Sequence, residues 1–192
     1  MYAELLGDAT LYEILQRVDE DLAAQARAAG CRCGGRLHRA VYPRKPRGGP
    51  AELGVGYETR LSYCCAEEGC RRRTTPPSVR FLGRKVYLGA VVTLVSALRQ
   101  GPTPTRVRVL QDLFGVGERT LRRWRQWWQQ IFTAGSFWRA ARARFIPSLE
   151  AADLPRAMAE RFGAHTPDGL CRVLRFLSPS TTGSCVLAGG GF

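Results

Sequence analysis

A chain of 192 residues with 45% hydrophobic content can bury a true core, as two small domains more readily than as one. Its 29 basic residues against 16 acidic ones leave a formal net charge of +13, which points to a polyanionic partner. No run approaches the roughly 18 apolar residues of a membrane-spanning helix, so no membrane partner is expected. The start, Met1-Tyr2-Ala3-Glu4, has neither the basic nor the apolar region of a leader, and a cytoplasmic, nucleoid-associated location follows as the expectation. Nearly all the positive charge is arginine, with Lys45 and Lys85 the two lysines. A GC-rich genome explains arginine in place of lysine, but it does not explain an excess of bases over acids.

Residues 1–30 read as one amphipathic helix. Thr10-x-x-Glu13 has the form of a capping box, and Leu11, Ile14, Leu15, Val18 and Leu22 recur at helical spacing. Gly30 ends the pattern. The acids Glu13, Asp19, Glu20 and Asp21 make this the segment least suited to nucleic acid. Packing on the unit that follows is the ordinary use of such a helix, with docking or homodimerisation as the alternative.

Residues 31–83 carry two cysteine knuckles, Cys31-Arg32-Cys33-Gly34-Gly35 and Cys64-Cys65-Ala66-Glu67-Glu68-Gly69-Cys70. Each contains glycine, whose conformational freedom lets a tight turn present backbone N–H groups to thiolate sulfurs. Two such turns at the ends of antiparallel strands place four thiolates around one tetrahedral Zn2+. In a reducing compartment clustered cysteines read as ligands rather than disulfides. The first pair is C-x-C rather than C-x-x-C, and the second knuckle offers either Cys64 or Cys65, with His38 in reserve. The alternative is reduced, buried cysteines acting as small hydrophobes.

Between the knuckles, residues 36–42 alternate as a strand, with Leu37, Arg39 and Val41 on one face and His38, Ala40 and Tyr42 on the other. Residues 43–50, rich in Pro and Gly, predict a stiff loop that does not pair in a sheet. A second strand is expected over 57–64, and residues 71–77 should break regular structure. Arg44, Lys45 and Arg47 on one side, and Arg71, Arg72 and Arg73 on the other, flank the cysteines. They form either a solvated face or a surface that contacts phosphates.

Residues 84–135 turn helical. Val86, Leu88, Val91, Val92, Leu94, Val95 and Leu98 describe a helix apolar almost all round, hence buried, stopped at Gly101-Pro102-Thr103-Pro104. A short helix over 107–114, a turn at Gly115-Val116-Gly117 and a helix from 118 to about 132 then have the layout of a DNA-reading helix-turn-helix. Leu110, Phe114, Val116, Leu121 and Trp124 fall where the motif packs on itself, although Gln111 takes a close-contact position where a small residue is usual. Arg119, Arg122, Arg123 and Gln126 are left facing outward, and Arg and Gln are the side chains that read guanine and adenine edges. An ordinary helical hairpin with solvated arginines is the alternative. Trp124 and Trp128 share a core stripe with Leu121 and Ile131. Trp127 lies off it, free to cover a neighbouring helix or to stack on Arg123.

Three more short helices, over 137–145, 154–162 and 170–177, make a helical extension across 136–177, broken by Pro147, Gly163 and Pro167. Residues 178–192 read as a disordered tail. Cys171 fits a helix core and Cys185 the tail, so neither is expected to bind metal. The fold class is therefore mainly α with a small β zinc ribbon.

The knuckle at Cys31 to Leu37, the pair Cys64-Cys65, the run from Cys70 to Ser78 and the tract Val116 to Trp124 together resemble the N-terminal part of bacterial insertion-sequence transposases. There a zinc ribbon precedes a helix-turn-helix that binds element DNA. The resemblance covers roughly residues 31–130. It implies Cys31, Cys33, Cys65 and Cys70 as ligands, Cys65 being preferred because such ribbons often carry an aromatic two residues earlier, as Tyr63 does. It also implies duplex DNA, and a recombinase of the same mobile element, as partners. The catalytic half of such enzymes needs three carboxylates on an RNase H-like sheet. Here about sixty helical residues remain after 132, in which Glu150, Asp153, Glu160 and Asp168 are scattered. No tyrosine follows Tyr87, and His38 and His165 are the only histidines. No catalytic residues and no enzymatic activity are expected. The same two modules would also suit a transcription regulator or a zinc-ribbon protein that binds RNA.

Overall fold

The computed structural model describes residues 2–50, 53–82, 85–98 and 103–182. Helices dominate, and the strands form two small antiparallel sheets. The N-terminal segment is two helices rather than one, α1 (Tyr2–Gly7) and α2 (Ala9–Ala28). Asp8 is the N-cap of α2, its carboxylate accepting from the Thr10 N–H at 2.9 Å, so the expected cap at Thr10 is displaced by two residues. Both oxygen types suit the role; Asp8 takes it because the chain turns there. Leu11, Leu15 and Val18 are buried as expected, whereas Ile14 is exposed.

The expected first strand is split into β1 (Leu37–Arg39) and β2 (Tyr42–Pro43), and the second into β3 (Thr59–Arg60) and β4 (Tyr63–Cys65). A 3-10 turn, Val55–Glu58, takes the place of the strand's first residues. β1 pairs with β4 and β2 with β3. Residues 71–77 do not simply break structure: β5 (Arg73–Thr74) adds a third strand beside β4. Nor does the basic loop stay unpaired. Arg47 bridges Tyr87, its N–H donating to the Val86 carbonyl and its carbonyl accepting from Leu88, both at 3.1 Å.

The apolar run of the middle region is shorter as a helix than expected. α3 (Gly89–Ser96) is buried almost all round, while Leu88 and the exposed Val86 precede it in extended chain. The expected helix start at Arg84 and stop at Gly101-Pro102 lie outside the described residues. α4 (Pro104–Phe114) and α5 (Glu118–Gln126) follow, joined by Gly115-Val116-Gly117. Gly115 has φ +64°, a conformation that costs an L side chain energy, and Val116 between the glycines is fully buried. Gln111 is exposed, not at a close helix contact.

α5 continues as one wide i→i+5 turn, Trp127–Phe132. The wider turn lengthens the helical period, so Phe132 is buried beside Trp128 and the expected Ile131 is exposed. α6 (Ser136–Ala141), α7 (Arg156–Phe162) and α8 (Pro167–Leu177) complete the chain. Thr166 caps α8 through the Gly169 N–H at 3.1 Å, so Pro167 starts that helix rather than breaking it. A Cβ on Gly169 would collide with the Gly163 carbonyl, which fixes glycine at the α7–α8 corner. The tail expected to be disordered from 178 begins with an ordered 3-10 turn, Ser178–Thr181. Its Thr181 hydroxyl accepts from the Ser78 N–H at 2.8 Å. Cys185 and the glycines beyond it lie outside the described residues.

The main core joins α1, α2, α3, α5, α7 and α8, and a second, small core surrounds the cysteines. Between the two lies a buried charge. Asp19 of α2, whose sequence context is that of a surface acid, is 1% exposed. Its carboxylate accepts from Ser78 Oγ at 2.5 Å, the Val79 N–H at 2.6 Å and Arg80 Nε at 2.8 Å. The Arg80 guanidinium also donates to the Gly56 and Thr59 carbonyls and lies over the Tyr57 and Phe81 rings. Arg60, buried nearby, donates to the Pro76 carbonyl at 2.5 Å. Removing the carboxylate strands a buried guanidinium. Asp19→Ala is therefore expected to destabilise the chain by about 3–5 kcal/mol in urea unfolding. The neighbouring Glu20 is exposed and outside this network, so Glu20→Ala should stay within about 0.5 kcal/mol of the parent.

Candidate metal centre and basic helix

The tight turn at Cys31 closes through two backbone bonds, Gly34 N–H to the Cys31 carbonyl at 2.8 Å and Cys31 N–H to the Gly35 carbonyl at 3.0 Å. Gly34 has φ +85°. A Cβ on Gly35 would stand 2.8 Å from Cys65 Sγ and 3.3 Å from Cys33 Sγ, so a side chain there would push into the cluster. The second knuckle closes with the Cys70 and Arg71 N–H groups both donating to the Glu67 carbonyl at 3.0 Å. Pairing of β1 with β4 sets Leu37 opposite Cys65 and brings the two turns together.

The sulfurs of Cys31, Cys33, Cys65 and Cys70 all lie within 4.8 Å of one another. Cys31 and Cys70 are 3.7 Å apart, Cys33 and Cys65 3.5 Å. Tetrahedral thiolate coordination at about 2.3 Å requires sulfur–sulfur edges of about 3.8 Å. The four residues therefore fit a metal ion. Backbone N–H groups of Cys33, Glu67 and Arg72 donate to the sulfurs of Cys31, Cys65 and Cys70. The bond from Cys33 brings the Cys31 thiol down to about 7, readying it as a thiolate. At Cys65 the Glu67 bond acts in the same direction, but burial and the neighbouring thiols outweigh it and push that thiol up to about 12. A cluster of four thiols without a cation resists carrying several negative charges at once.

The choice between adjacent cysteines is resolved by the pleat. Cys65 faces the cluster and is 1% exposed, whereas Cys64 turns to the opposite face and donates to the Arg71 carbonyl at 3.4 Å. His38 pairs with Cys64 on that outer face and is exposed, so it is not a reserve ligand. Tyr63, Leu37 and Ala23 of α2 pack against Cys31 and Cys65 as the small core. Cys171 packs against the main core instead and takes no part in the cluster.

The basic residues divide into free and engaged. Arg71, Arg72 and Arg73 are exposed, with Arg73 over the Tyr42 ring at 5.7 Å. Lys45 and Arg47 are exposed as well. Arg44, by contrast, is engaged inside the fold: it donates to the Lys85 carbonyl at 2.6 Å and lies over Phe81. On α5, Arg119, Arg122, Arg123 and Gln126 are exposed, while Leu121 and Trp124 are buried beneath them. Arg122 pairs with Glu118 at 2.5 Å and Gln126 with Gln130 at 3.2 Å. Both are exposed contacts that cost little to release. Trp127 stacks on Lys85 rather than on Arg123, with Nζ 3.9 Å from the ring centroid. Tyr87, which carries no signal in the sequence pattern, donates its hydroxyl to the Gly115 carbonyl at 2.7 Å and sets its ring edge-on to Trp124.

No helix among the described residues is long and apolar enough to cross a membrane. Comparison of the chain with protein-family models, with curated proteins and with solved structures finds no match in any of the three.

The pleat separates the roles of the adjacent cysteines, which gives a direct test. Cys65→Ser is expected to lose bound divalent metal, measured as metal per chain after tag-free purification, and to unfold the small core. Cys64→Ser should retain both. Metal release should also accompany acidification, because the ligands bind as thiolates and protons compete for them.

Proposed function

We propose that this chain is a sequence-specific duplex-DNA-binding protein with a structural zinc ion, of the kind that recognises DNA of a mobile genetic element. The observation that carries this reading is the two-sidedness of α5. Leu121 and Trp124 fasten one face to the core, and Tyr87 braces both Trp124 and the turn before the helix. The opposite face offers Arg119, Arg122, Arg123 and Gln126 to solvent. A helix of this width enters the major groove of B-DNA, where Arg pairs with guanine O6 and N7 and Gln with adenine N6 and N7. With α4 and the glycine turn before it, α5 takes the part of the reading helix in a helix-turn-helix.

Zinc is the metal that four thiolates in a closed tetrahedral set favour. Such an ion would be held by Cys31, Cys33, Cys65 and Cys70 and would supply folding energy rather than chemistry. The small core around it has too few apolar residues to stand alone, which agrees with a structural role. The net charge of +13 and the exposed run Arg71-Arg72-Arg73 add contact with phosphates that is indifferent to sequence.

Selection of binding sites from a random duplex library tests the reading. The parent chain should enrich one motif, and Arg119→Ala or Arg122→Ala should relax preference at one position at a cost of roughly 1–3 kcal/mol. Both variants should fold normally. Trp124→Ala should instead destabilise the fold by roughly 3–5 kcal/mol. No enriched motif, or the same motif from every variant, would remove α5 as the reading helix. Tighter binding to duplex RNA than to DNA would favour an RNA ligand, whose deep and narrow major groove does not admit a helix.

Affinity for any duplex should also fall steeply with salt. Replacing Arg71, Arg72 and Arg73 together by Ala is expected to reduce the log–log slope by up to about 2.7, the release of counterions from three phosphates. A flat salt response of the parent would contradict a polyanionic partner.

A further inference from the structure

Lys85 is one of two lysines in the chain, and its surroundings differ from those of a surface lysine. Its backbone is held from two sides. The Arg44 guanidinium donates to its carbonyl, and the chain at Val86 and Leu88 is bridged to Arg47. Two residues later Tyr87 is fastened to Gly115 and Trp124. This anchoring lays the Lys85 side chain along the end of α5, with Nζ over the face of Trp127.

No carboxylate among the described residues pairs with Lys85. Arg123, four residues before Trp127 on the same helix face, is the charged group next to this site and is of like sign. Burial, with Arg123 adding to it, brings the Lys85 amine down to about 8. A half-buried ammonium beside a guanidinium, without an acid, is an unfavourable arrangement in the free chain. An apolar residue would cover Trp127 at lower cost, so packing alone does not account for it. An anion between the two cations would satisfy both, and the only part of duplex DNA that offers one is the phosphodiester.

We infer that Lys85 and Arg123 form a phosphate-binding pair at the edge of α5 that holds a backbone phosphodiester of duplex DNA and so sets the register of α5 over the groove. The inference rests on the reading of α5 given above. It assigns Lys85, which lies outside the helix, a positioning contact that carries no sequence information. Trp127 fixes the direction of the ammonium by cation–π contact and shields one side of it from water.

The test uses the full chain, with Lys85→Met and Lys85→Arg, against the selected site and a scrambled duplex. Lys85→Met should bind both duplexes about 5–10-fold more weakly at low salt, with a log–log salt slope smaller by about 0.9. Its melting temperature should be unchanged or higher, since a costly buried charge is gone. Lys85→Arg should restore part of the affinity and the slope. A second measurement needs no variant. With only two lysines, carbon-13 NMR of the lysine side chains follows Lys85 directly, and DNA should raise its titration midpoint by at least about one pH unit, as an opposite charge in contact does. Unchanged affinity and slope in Lys85→Met, or an unmoved Lys85 midpoint in the complex, overturns the pair while leaving α5 as the reading helix. A parent chain that binds no duplex DNA overturns both.

Discussion

The Asp19–Arg80 contact is the interaction on which the arrangement of the other parts depends. One carboxylate from the middle of α2 accepts from a side-chain hydroxyl, a backbone N–H and a guanidinium, all from residues 78–80. The same guanidinium reaches the carbonyls of residues 56 and 59. Three segments far apart in sequence are therefore tied to one buried charge pair. Such a pair adds little net stability compared with apolar packing, because two ions must be desolvated. Its value is directional: a carboxylate with three donors in fixed places accepts one arrangement of the chain and penalises the rest. Ser78 takes part twice, through its hydroxyl on Asp19 and through its N–H on Thr181 near the end of the described chain.

Around that contact the structure keeps two cores of different kinds. The main core is large and aromatic, with Trp128, Phe132, Trp138, Phe145 and Phe176 in a chain of edge-to-face and tilted rings. The core at the cysteines contains Ala23, Leu37 and Tyr63 and little else apolar. A core of that size does not offset the conformational entropy of the turns and short strands around it. Beside it, four sulfurs converge within a metal's reach. α2 serves both cores, since Ala23 packs on the cysteines while Leu11, Leu15 and Val18 lie in the main core. It also supplies Asp19.

The bridge between Arg47 and Tyr87 couples the positive surfaces to each other. The basic loop is hydrogen-bonded to the strand-like segment that braces α5, so loop and helix have a fixed relation rather than that of beads on a linker. Arg44 shows how finely the charge is divided. It sits in the same loop as Lys45 and Arg47, yet its guanidinium is turned inward onto Phe81 and the Lys85 carbonyl. A net charge of +13 describes what the chain attracts; the position of each hydrogen-bond acceptor decides which arginine remains to meet it.

The sequence by itself determined what depends on near neighbours: the glycine knuckles at Cys31 and Cys70, the turn at Gly115 to Gly117, the all-round apolar run that becomes α3, and the burial of Leu121, Trp124 and Trp128. These follow from backbone sterics and from helical or strand periodicity, which act within a few residues. Tertiary structure decided the rest. Cys65 faces the cysteine cluster and Cys64 does not because pairing with β1 fixes which side of the pleat each takes. Phe132 replaces Ile131 in the core because the wide turn after α5 changes the period on which the stripe was counted. Asp19 reads as one more surface acid in a helix rich in them, and only the approach of residues 78–80, some sixty positions away, makes it the centre of a buried network. Local patterns carry the free energy of local contacts. A charge is buried only where distant segments bring it partners, and no window of sequence contains both.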